Sequence, residues 1–178
     1  MLDIIVVEDE APIRDWIAYT ISNISDEFNV LASASNGKEA YELALNLKPK
    51  VIISDIKMPI MGGIELTKKI KEVFPDIYVI LLTNYAEFSY AKEAISCGVY
   101  EYLVKSDIRP KELKEILDKV NESEKELEKN KARRLQKENT LSESKDGYSK
   151  TIKKSIDYIH KNYKQHISLQ DISNYVFL

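Results

Sequence analysis

Charged and polar side chains stand at the ends of four short apolar runs, where they could accept and hold a phosphoryl group. Glu8 and Asp9 follow the first run, Asp55 follows the second, and Thr83 and Lys105 end two later ones. A carboxylate can accept a phosphoryl group and form an acyl phosphate. Neighbouring carboxylates can hold Mg²⁺, while a hydroxyl and an ammonium can contact phosphoryl oxygens. Together the four positions predict a phosphoryl-transfer site.

The elements that position these residues follow from the pattern of the runs. Short runs rich in β-branched residues and separated by helical patterns predict buried strands of a parallel sheet. Residues 30–34 supply one further strand, and a last helix begins at Pro110. We therefore predict an α/β fold, a doubly wound five-stranded parallel sheet, for residues 1–120. Ligands of such sheets bind outside the carboxyl ends of the strands, so the polar residues should meet in one crevice.

Composition narrows the class of protein. The chain has 178 residues, a net charge of -3 and one cysteine, Cys97, which excludes a disulfide framework and predicts a reducing, cytoplasmic location. No apolar stretch approaches the roughly 20 residues that span a bilayer, and no basic segment precedes an apolar one at the start of the sequence. We therefore expect neither a signal peptide nor a membrane partner.

The composition changes after residue 120. Residues 121–148 are dominated by charge and predict a helical linker. Leu113, Val120 and Leu127 keep a seven-residue spacing that would permit a homodimer, and a solvated linker helix is the equally weighted alternative. Residues 149–178 are mildly basic and predict two helices, the second with a capping box formed by Ser168 and Asp171.

The motifs around the strand ends resemble those of one family. They are Val6-Val7-Glu8-Asp9-Glu10, Ile53-Ser54-Asp55-Ile56-Lys57-Met58-Pro59, Leu82-Thr83 and Tyr102-Leu103-Val104-Lys105. In this order they resemble the receiver domain of two-component response regulators, over residues 1 to about 120. The resemblance implies a flavodoxin-like fold.

The resemblance also implies a role for each residue. Asp55 would be phosphorylated from the phosphohistidine of a sensor histidine kinase. Thr83 and Lys105 would sense the phosphoryl group, and Tyr102 would be the aromatic switch. The implied Mg²⁺ ligands are Glu8, Asp9, Asp55 and the carbonyl of Lys57.

Three departures from the family pattern bear on the site. Ser106 follows Lys105 where the family usually has a proline in a cis peptide bond. A cis bond before a residue other than proline costs about 3–4 kcal/mol, so we expect a trans bond and an altered Lys105 loop, with phosphorylation retained. Gly62-Gly63 replaces the usual Asp-Gly, which should loosen the loop and remove a polar anchor. Lys57 and Tyr85 occupy flanking positions that can shield an acyl phosphate from water.

The carboxyl-terminal segment resembles a second family. Residues 152–178 are similar to the first part of an AraC-type helix-turn-helix DNA-binding domain, and residues 85–92 are similar to receivers attached to such domains. The helix that would read the bases is absent from this segment. We therefore expect no specific DNA binding by this chain alone, and DNA binding by a parent protein through its complete output domain.

The leading hypothesis is a phosphorylation-dependent switch that regulates transcription and is not an enzyme, apart from slow self-dephosphorylation. One alternative is a receiver that acts only through protein–protein interaction. Another is an aspartate-nucleophile phosphohydrolase. Such enzymes usually carry an acid/base Asp two residues after the nucleophile, where this chain has Lys57, so that hypothesis is disfavoured.

Overall fold

A computed structural model describes residues 1–84, 88–143, 150–163 and 167–177. Its centre is a parallel sheet in the order β2-β1-β3-β4-β5. The strands are β1 Leu2–Val7, β2 Phe28–Ala34, β3 Val51–Asp55, β4 Tyr78–Thr83 and β5 Glu101–Val104. The chain leaves β1 for β2 on one side and then crosses to β3 on the other, which opens a crevice at their carboxyl ends. The predicted doubly wound sheet is confirmed.

Helices connect and follow the strands. They are α1 Ala11–Ile24, α2 Gly37–Leu47, α3 Gly63–Val73, α4 Phe88–Ser96, α5 Pro110–Glu143, α6 Lys150–Asn162 and α7 Leu169–Phe177, with a short 3₁₀ turn at Lys105–Asp107. The sequence predicts that α4 begins at Tyr85, but residues 85–87 lie outside the described part of the chain. None of the described helices is both long enough and apolar enough to cross a bilayer.

Both faces of the sheet are covered, which explains why residues 4–7 of β1 are continuously apolar. Ile4 and Val6 pack in a core with α1 and α5, while Ile5 and Val7 pack in a second core with α2, α3 and α4. All four side chains are fully buried. Burying one such side chain contributes about 1.5–3 kcal/mol, so the strand is fixed and its carboxyl end has a defined position.

The chain forms two compact units, Met1–Ser123 and Glu124–Leu178. Helix α5 starts in the first unit and continues to Glu143. The assignment of residues 121–148 as a linker stays a prediction, and residues 144–148 lie outside the described part of the chain. In the second unit, the rings of Tyr158 on α6 and Tyr175 on α7 lie 4.8 Å apart between centroids. These contacts pack the two helices together.

The capping box predicted at the start of α7 is confirmed. The Ser168 hydroxyl donates to Oδ2 of Asp171 over 2.6 Å, and the Asp171 amide donates to the Ser168 hydroxyl over 3.2 Å. The two side chains therefore satisfy polar groups at the helix start.

Candidate functional site

The residues predicted to do chemistry lie together at the carboxyl edge of the sheet. Asp55 and Thr83 are the last residues of β3 and β4, Asp9 follows β1, and Lys105 follows β5. One pocket of about 110 Å³ is lined by Asp9, Glu10, Asp55, Lys57, Thr83 and Asn84. The strand ends therefore bring the carboxylates of Asp55 and Asp9 and the hydroxyl of Thr83 to one small cavity.

Three carboxylates form a compact cluster beside this pocket. Single oxygens of Glu8, Asp9 and Asp55 all lie within 4.8 Å of one another. Glu8 and Asp55 are buried, whereas Asp9 is exposed. Carboxylate oxygens at this spacing suit a small, hard divalent cation, which keeps water or phosphate oxygens in the rest of its coordination shell.

Lys105 neutralises two of these acids. Its Nζ lies 2.6 Å from Oε2 of Glu8 and 3.2 Å from Oδ1 of Asp55. No peptide bond among the described residues is cis, so the predicted trans bond before Ser106 is confirmed. Lys105 opens the 3₁₀ turn, and Ile108 closes that turn by donating its amide to the Lys105 carbonyl over 3.2 Å.

The electrostatics of the cluster are dominated by burial. Burial raises the pKa of Glu8, and the close ion pair with Lys105 offsets this only in part. Burial likewise raises the pKa of Asp55 against the opposing charge of Lys105. Burial alone would lower the pKa of Lys105, but its contacts with Glu8 and Asp55 leave that pKa raised. Additional positive charge at this cluster is therefore favourable.

The glycine pair after Asp55 lies close to the preceding backbone, and its expected loosening of the loop stays a prediction. A Cβ at Gly63 would lie 2.2 Å from the Asp55 carbonyl oxygen, and one at Gly62 would lie 2.6 Å from that of Ile56. The Gly63 amide donates to the Ile56 carbonyl over 3.0 Å. The missing side chains allow α3 to begin directly against the backbone of the acceptor residue. The polar anchor is absent, since the cap of α3 has no side-chain hydrogen bond.

Tyr102 lies on β5 beside Leu81 of β4 and is half-buried. It packs at the edge of the core formed with α2, α3 and α4. Its role as a switch stays a prediction, as does the role of the Lys57 carbonyl as a metal ligand.

A family model decides the class of this protein. The model of the response regulator receiver domain matches residues 4–118. This chain belongs to the response regulator receiver domain family. The match covers four strands completely, all but the first two residues of β1, and all the strand-end residues of the pocket, so the first unit is the receiver of a two-component response regulator.

Relatives of this receiver are named as regulators of transcription. The uncharacterized transcriptional regulatory protein YesN of Bacillus subtilis is 42% identical over 105 residues, which are 59% of this chain and 28% of that protein. The transcriptional regulatory protein LnrK of the same organism is 35% identical over 105 residues, 59% of this chain and 47% of that protein. The matched part of the chain thus spans less than half the length of these curated relatives.

Solved structures show the same receiver fold. The receiver domain of AraT, a response regulator from Geobacillus stearothermophilus, is 38% identical and superposes with a TM-score of 0.65. The comparison covers 71% of this chain and 98% of that one. A chemotaxis protein, CheY4 of Vibrio cholerae, is 28% identical with a TM-score of 0.61, covering 67% of this chain and 98% of its own.

Sequence reasoning missed two residues around the receiver pocket, Asn84 and Arg14, and one contact of Lys57. Asn84 lines it, although its place directly after Thr83 at a strand end could have indicated this. Arg14 on α1 donates from Nη1 to the Glu8 carbonyl over 2.7 Å and so fixes the end of β1. Lys57 places its Nζ over the ring of Tyr90 on α4, 5.0 Å from the centroid. The last two contacts depend on how helices pack and leave no signal in the sequence.

Proposed function

We propose that Asp55 accepts a phosphoryl group from the phosphohistidine of a sensor histidine kinase, and that this modification switches a regulator of transcription. The observation that carries the proposal is the placement of Asp55. Its carboxylate is buried at the end of β3, faces a small pocket, and lies within reach of both an acidic cluster and the ammonium of Lys105. An aspartate with only a structural role would not need an open pocket beside it.

The transfer would form one bond and break one. An Oδ atom of Asp55 attacks phosphorus, the new P–O bond gives an acyl phosphate, and the P–N bond to the kinase imidazole breaks. The electron pair of that bond stays on the imidazole nitrogen. Little acid–base help is needed, so the contribution of the receiver is to position the carboxylate and to compensate charge.

Glu8, Asp9 and Asp55, with the Lys57 carbonyl, are the residues that would hold Mg²⁺. The donor set fits, because all three side chains offer carboxylate oxygens within 4.8 Å of one another. Mg²⁺ bound there would neutralise negative charge on the phosphoryl oxygens. Asp9, the exposed member of the cluster, leaves one side of the site open to solvent and to the phosphodonor.

Thr83 and Lys105 would read the modification. Thr83 lines the pocket from the end of β4 and can donate its hydroxyl proton to a phosphoryl oxygen. Lys105 already contacts Asp55 and can follow the new charge. Movement of Thr83 would make room for Tyr102 at the neighbouring strand end and alter the surface formed by α4, β5 and α5.

The second unit would connect this switch to DNA. Relatives with similar receivers carry names that describe transcriptional regulation. Helices α6 and α7 have the order and the capping box expected of the first part of an AraC-type helix-turn-helix. Helix α5 would transmit the structural change of the receiver to them through the geometry of a homodimer. The parent protein would bind DNA through its complete output domain. The cytoplasmic location follows from this role and stays a prediction.

Labelling with acetyl phosphate and Mg²⁺ tests the proposal. The full chain should gain the mass of one phosphoryl group, Asp55→Asn should gain none, and Asp26→Asn, which changes an exposed acid in the turn before β2, should behave like the unmutated chain. Equal labelling of the Asp55→Asn variant would refute the assignment. Steady hydrolysis of a phosphate ester, rather than of acetyl phosphate, would instead favour the phosphohydrolase.

A further inference from the structure

Lys57 lies between two cavities of the receiver. It lines the pocket that contains Asp55, and it also lines a groove of about 400 Å³ between α3 and α4. On the groove side its ammonium sits over the ring of Tyr90, 5.0 Å from the centroid. One flexible side chain therefore has a partner on α4 and lies beside the phosphoacceptor.

The groove has a second contact between the same helices. Nζ of Lys68 on α3 lies 2.7 Å from Oε1 of Glu93 on α4. Tyr90 and Glu93 are three residues apart and so share one face of α4. The Lys68–Glu93 pair is half-exposed and lies outside the lining of the phosphoacceptor pocket, which makes it a matched control for contacts that only connect α3 with α4.

Phosphorylation would change the balance at Lys57. A phosphoryl group adds negative charge and three strong acceptor oxygens in the cavity that Lys57 already lines. A charge-assisted hydrogen bond to such an oxygen is stronger than a cation–π contact with a half-exposed ring. The ammonium can make one of these contacts or the other, because the ring of Tyr90 lies on the groove side.

We propose that Lys57 is a second phosphoryl-binding cation, held on the ring of Tyr90 until Asp55 is modified. On phosphorylation the ammonium leaves the ring for a phosphoryl oxygen, and α4 loses its contact with the segment that follows Asp55. This inference rests on the proposed phosphorylation of Asp55. It adds a specific residue that couples the charge of the phosphoryl group to α4.

Binding of beryllofluoride, an analogue of the phosphoryl group, tests the exchange in the full chain with Mg²⁺ present, measured by calorimetry. Lys57→Met should weaken binding by about tenfold, because it removes a charged contact. Tyr90→Leu should tighten binding by about threefold, because it removes the competing partner of Lys57. Tyr90→Phe keeps the ring and should bind like the unmutated chain, as should Lys68→Met.

Hydrogen exchange of the α4 amides provides a second measurement on the same samples. Beryllofluoride should speed hydrogen exchange of the α4 amides in the unmutated chain. In the Lys57→Met variant saturated with beryllofluoride, most of this increase should be lost. Thermal unfolding of each variant confirms that it is folded.

Opposite signs for the Lys57→Met and Tyr90→Leu variants are the decisive result. The exchange would be overturned if the two variants changed beryllofluoride affinity equally, or if neither changed it. It would also be overturned if Lys68→Met tightened binding as much as Tyr90→Leu does. Each of these results would leave Asp55 phosphorylation intact. Failure of the unmutated chain to bind beryllofluoride would overturn the exchange together with the proposed function.

Discussion

Lys105 lies closer to Glu8 than to the proposed phosphoacceptor, with Nζ 2.6 Å from the Glu8 carboxylate and 3.2 Å from that of Asp55. Glu8 is fully buried, and Lys105 is only 9% exposed. The longer side chain of a glutamate reaches the ammonium directly from the end of β1. Lys105 is therefore the counter-ion of a buried acid, in addition to its proposed role as a contact for the phosphoryl group.

The first role predicts a strong dependence of stability on Lys105. Lys105→Met should lower the free energy of unfolding of the receiver by about 3 kcal/mol, because it leaves a buried carboxylate without its partner. Glu8→Gln combined with Lys105→Met should recover part of that loss, since the charge of Glu8 is gone while Asp55 still lacks its ammonium partner. Urea unfolding of the two single variants and the double variant measures the coupling. Lys114→Met breaks an equally short but half-exposed pair with Asp118 and should change stability by less than about 1 kcal/mol. A double variant as unstable as Lys105→Met would contradict this account.

Asp55→Asn should stabilise the receiver at neutral pH while abolishing phosphorylation. Burial raises the pKa of Asp55, so the folded state binds its proton more tightly than the unfolded state does. Ionisation above the ordinary value of 3.8 therefore costs stability, and the neutral amide avoids that cost. We expect a gain of roughly 1–2 kcal/mol at neutral pH. It shrinks as the pH falls through the raised pKa of the native carboxyl and vanishes below the ordinary value of 3.8.

Thermal unfolding across this pH range measures the Asp55 effect. Asp26→Asn, at an exposed acid, serves as the control and should change little at any pH. A gain for Asp55→Asn that is independent of pH would show that the charge of the carboxylate is not its cause.

Mg²⁺ should raise the melting temperature of the receiver, since a ligand that binds only the folded state stabilises it by mass action. At a hundredfold excess over the dissociation constant the gain is about 2.7 kcal/mol. Asp9→Asn should remove most of this gain with little effect in the absence of metal, because Asp9 is exposed. Calorimetric melting at increasing Mg²⁺ concentrations measures the gain in stability of the unmutated chain and its loss in Asp9→Asn. An undiminished Mg²⁺ affinity in this variant would exclude Asp9 from the site.

Much of the fold and the core of the site could be predicted from the sequence, because strand ends in a doubly wound sheet converge. The apolar runs before Asp55 and Thr83 defined β3 and β4, and the parallel topology placed their carboxyl ends side by side. The capping box at Ser168 was visible for a similar reason, since it involves residues only three positions apart. Local patterns of this kind are set by backbone geometry and need no knowledge of tertiary packing.

The features that escaped prediction depend on side-chain reach and on helix packing. The preference of Lys105 for Glu8 follows from the length of one side chain and from the turn that replaces a Lys-Pro bond. The Lys57–Tyr90 contact follows from the distance between β3 and α4. The close backbone approach at Gly62 and Gly63 also escaped prediction, because it depends on how the start of α3 packs against the end of β3.

Gly63→Ala should therefore damage both stability and phosphorylation. Its Cβ would meet the Asp55 carbonyl at 2.2 Å and the Ser54 hydroxyl at 2.9 Å, so β3 or α3 must shift. We expect the free energy of unfolding to fall by about 3 kcal/mol and labelling by acetyl phosphate to become slower.

Gly98→Ala is the control variant for this prediction. At Gly98 φ is +71° and nothing lies within 4 Å of the new Cβ, so only the backbone conformation is strained. Gly98→Ala should lower the free energy of unfolding by about 1–2 kcal/mol and leave the rate of labelling unchanged. Equal labelling rates in both variants would show that the acceptor tolerates movement of α3.

Ile60, in the loop after Asp55, holds backbone strain that a substitution should release. Its φ is +69°, and the Met61 amide donates to the Pro59 carbonyl over 2.7 Å, which makes a γ-turn in its rare, strained form. A β-branched residue is poorly suited to positive φ, and 76% of this side chain is exposed, so little packing compensates for the strain. Ile60→Gly should raise the free energy of unfolding by about 1 kcal/mol in urea denaturation. Ile95 is 74% exposed but lies within α4, so Ile95→Gly should lower the free energy of unfolding by about 1 kcal/mol. The two variants remove the same side chain at almost equal exposure, so opposite signs would isolate the backbone as the source, and a loss at both positions would show that the Ile60 turn is unstrained.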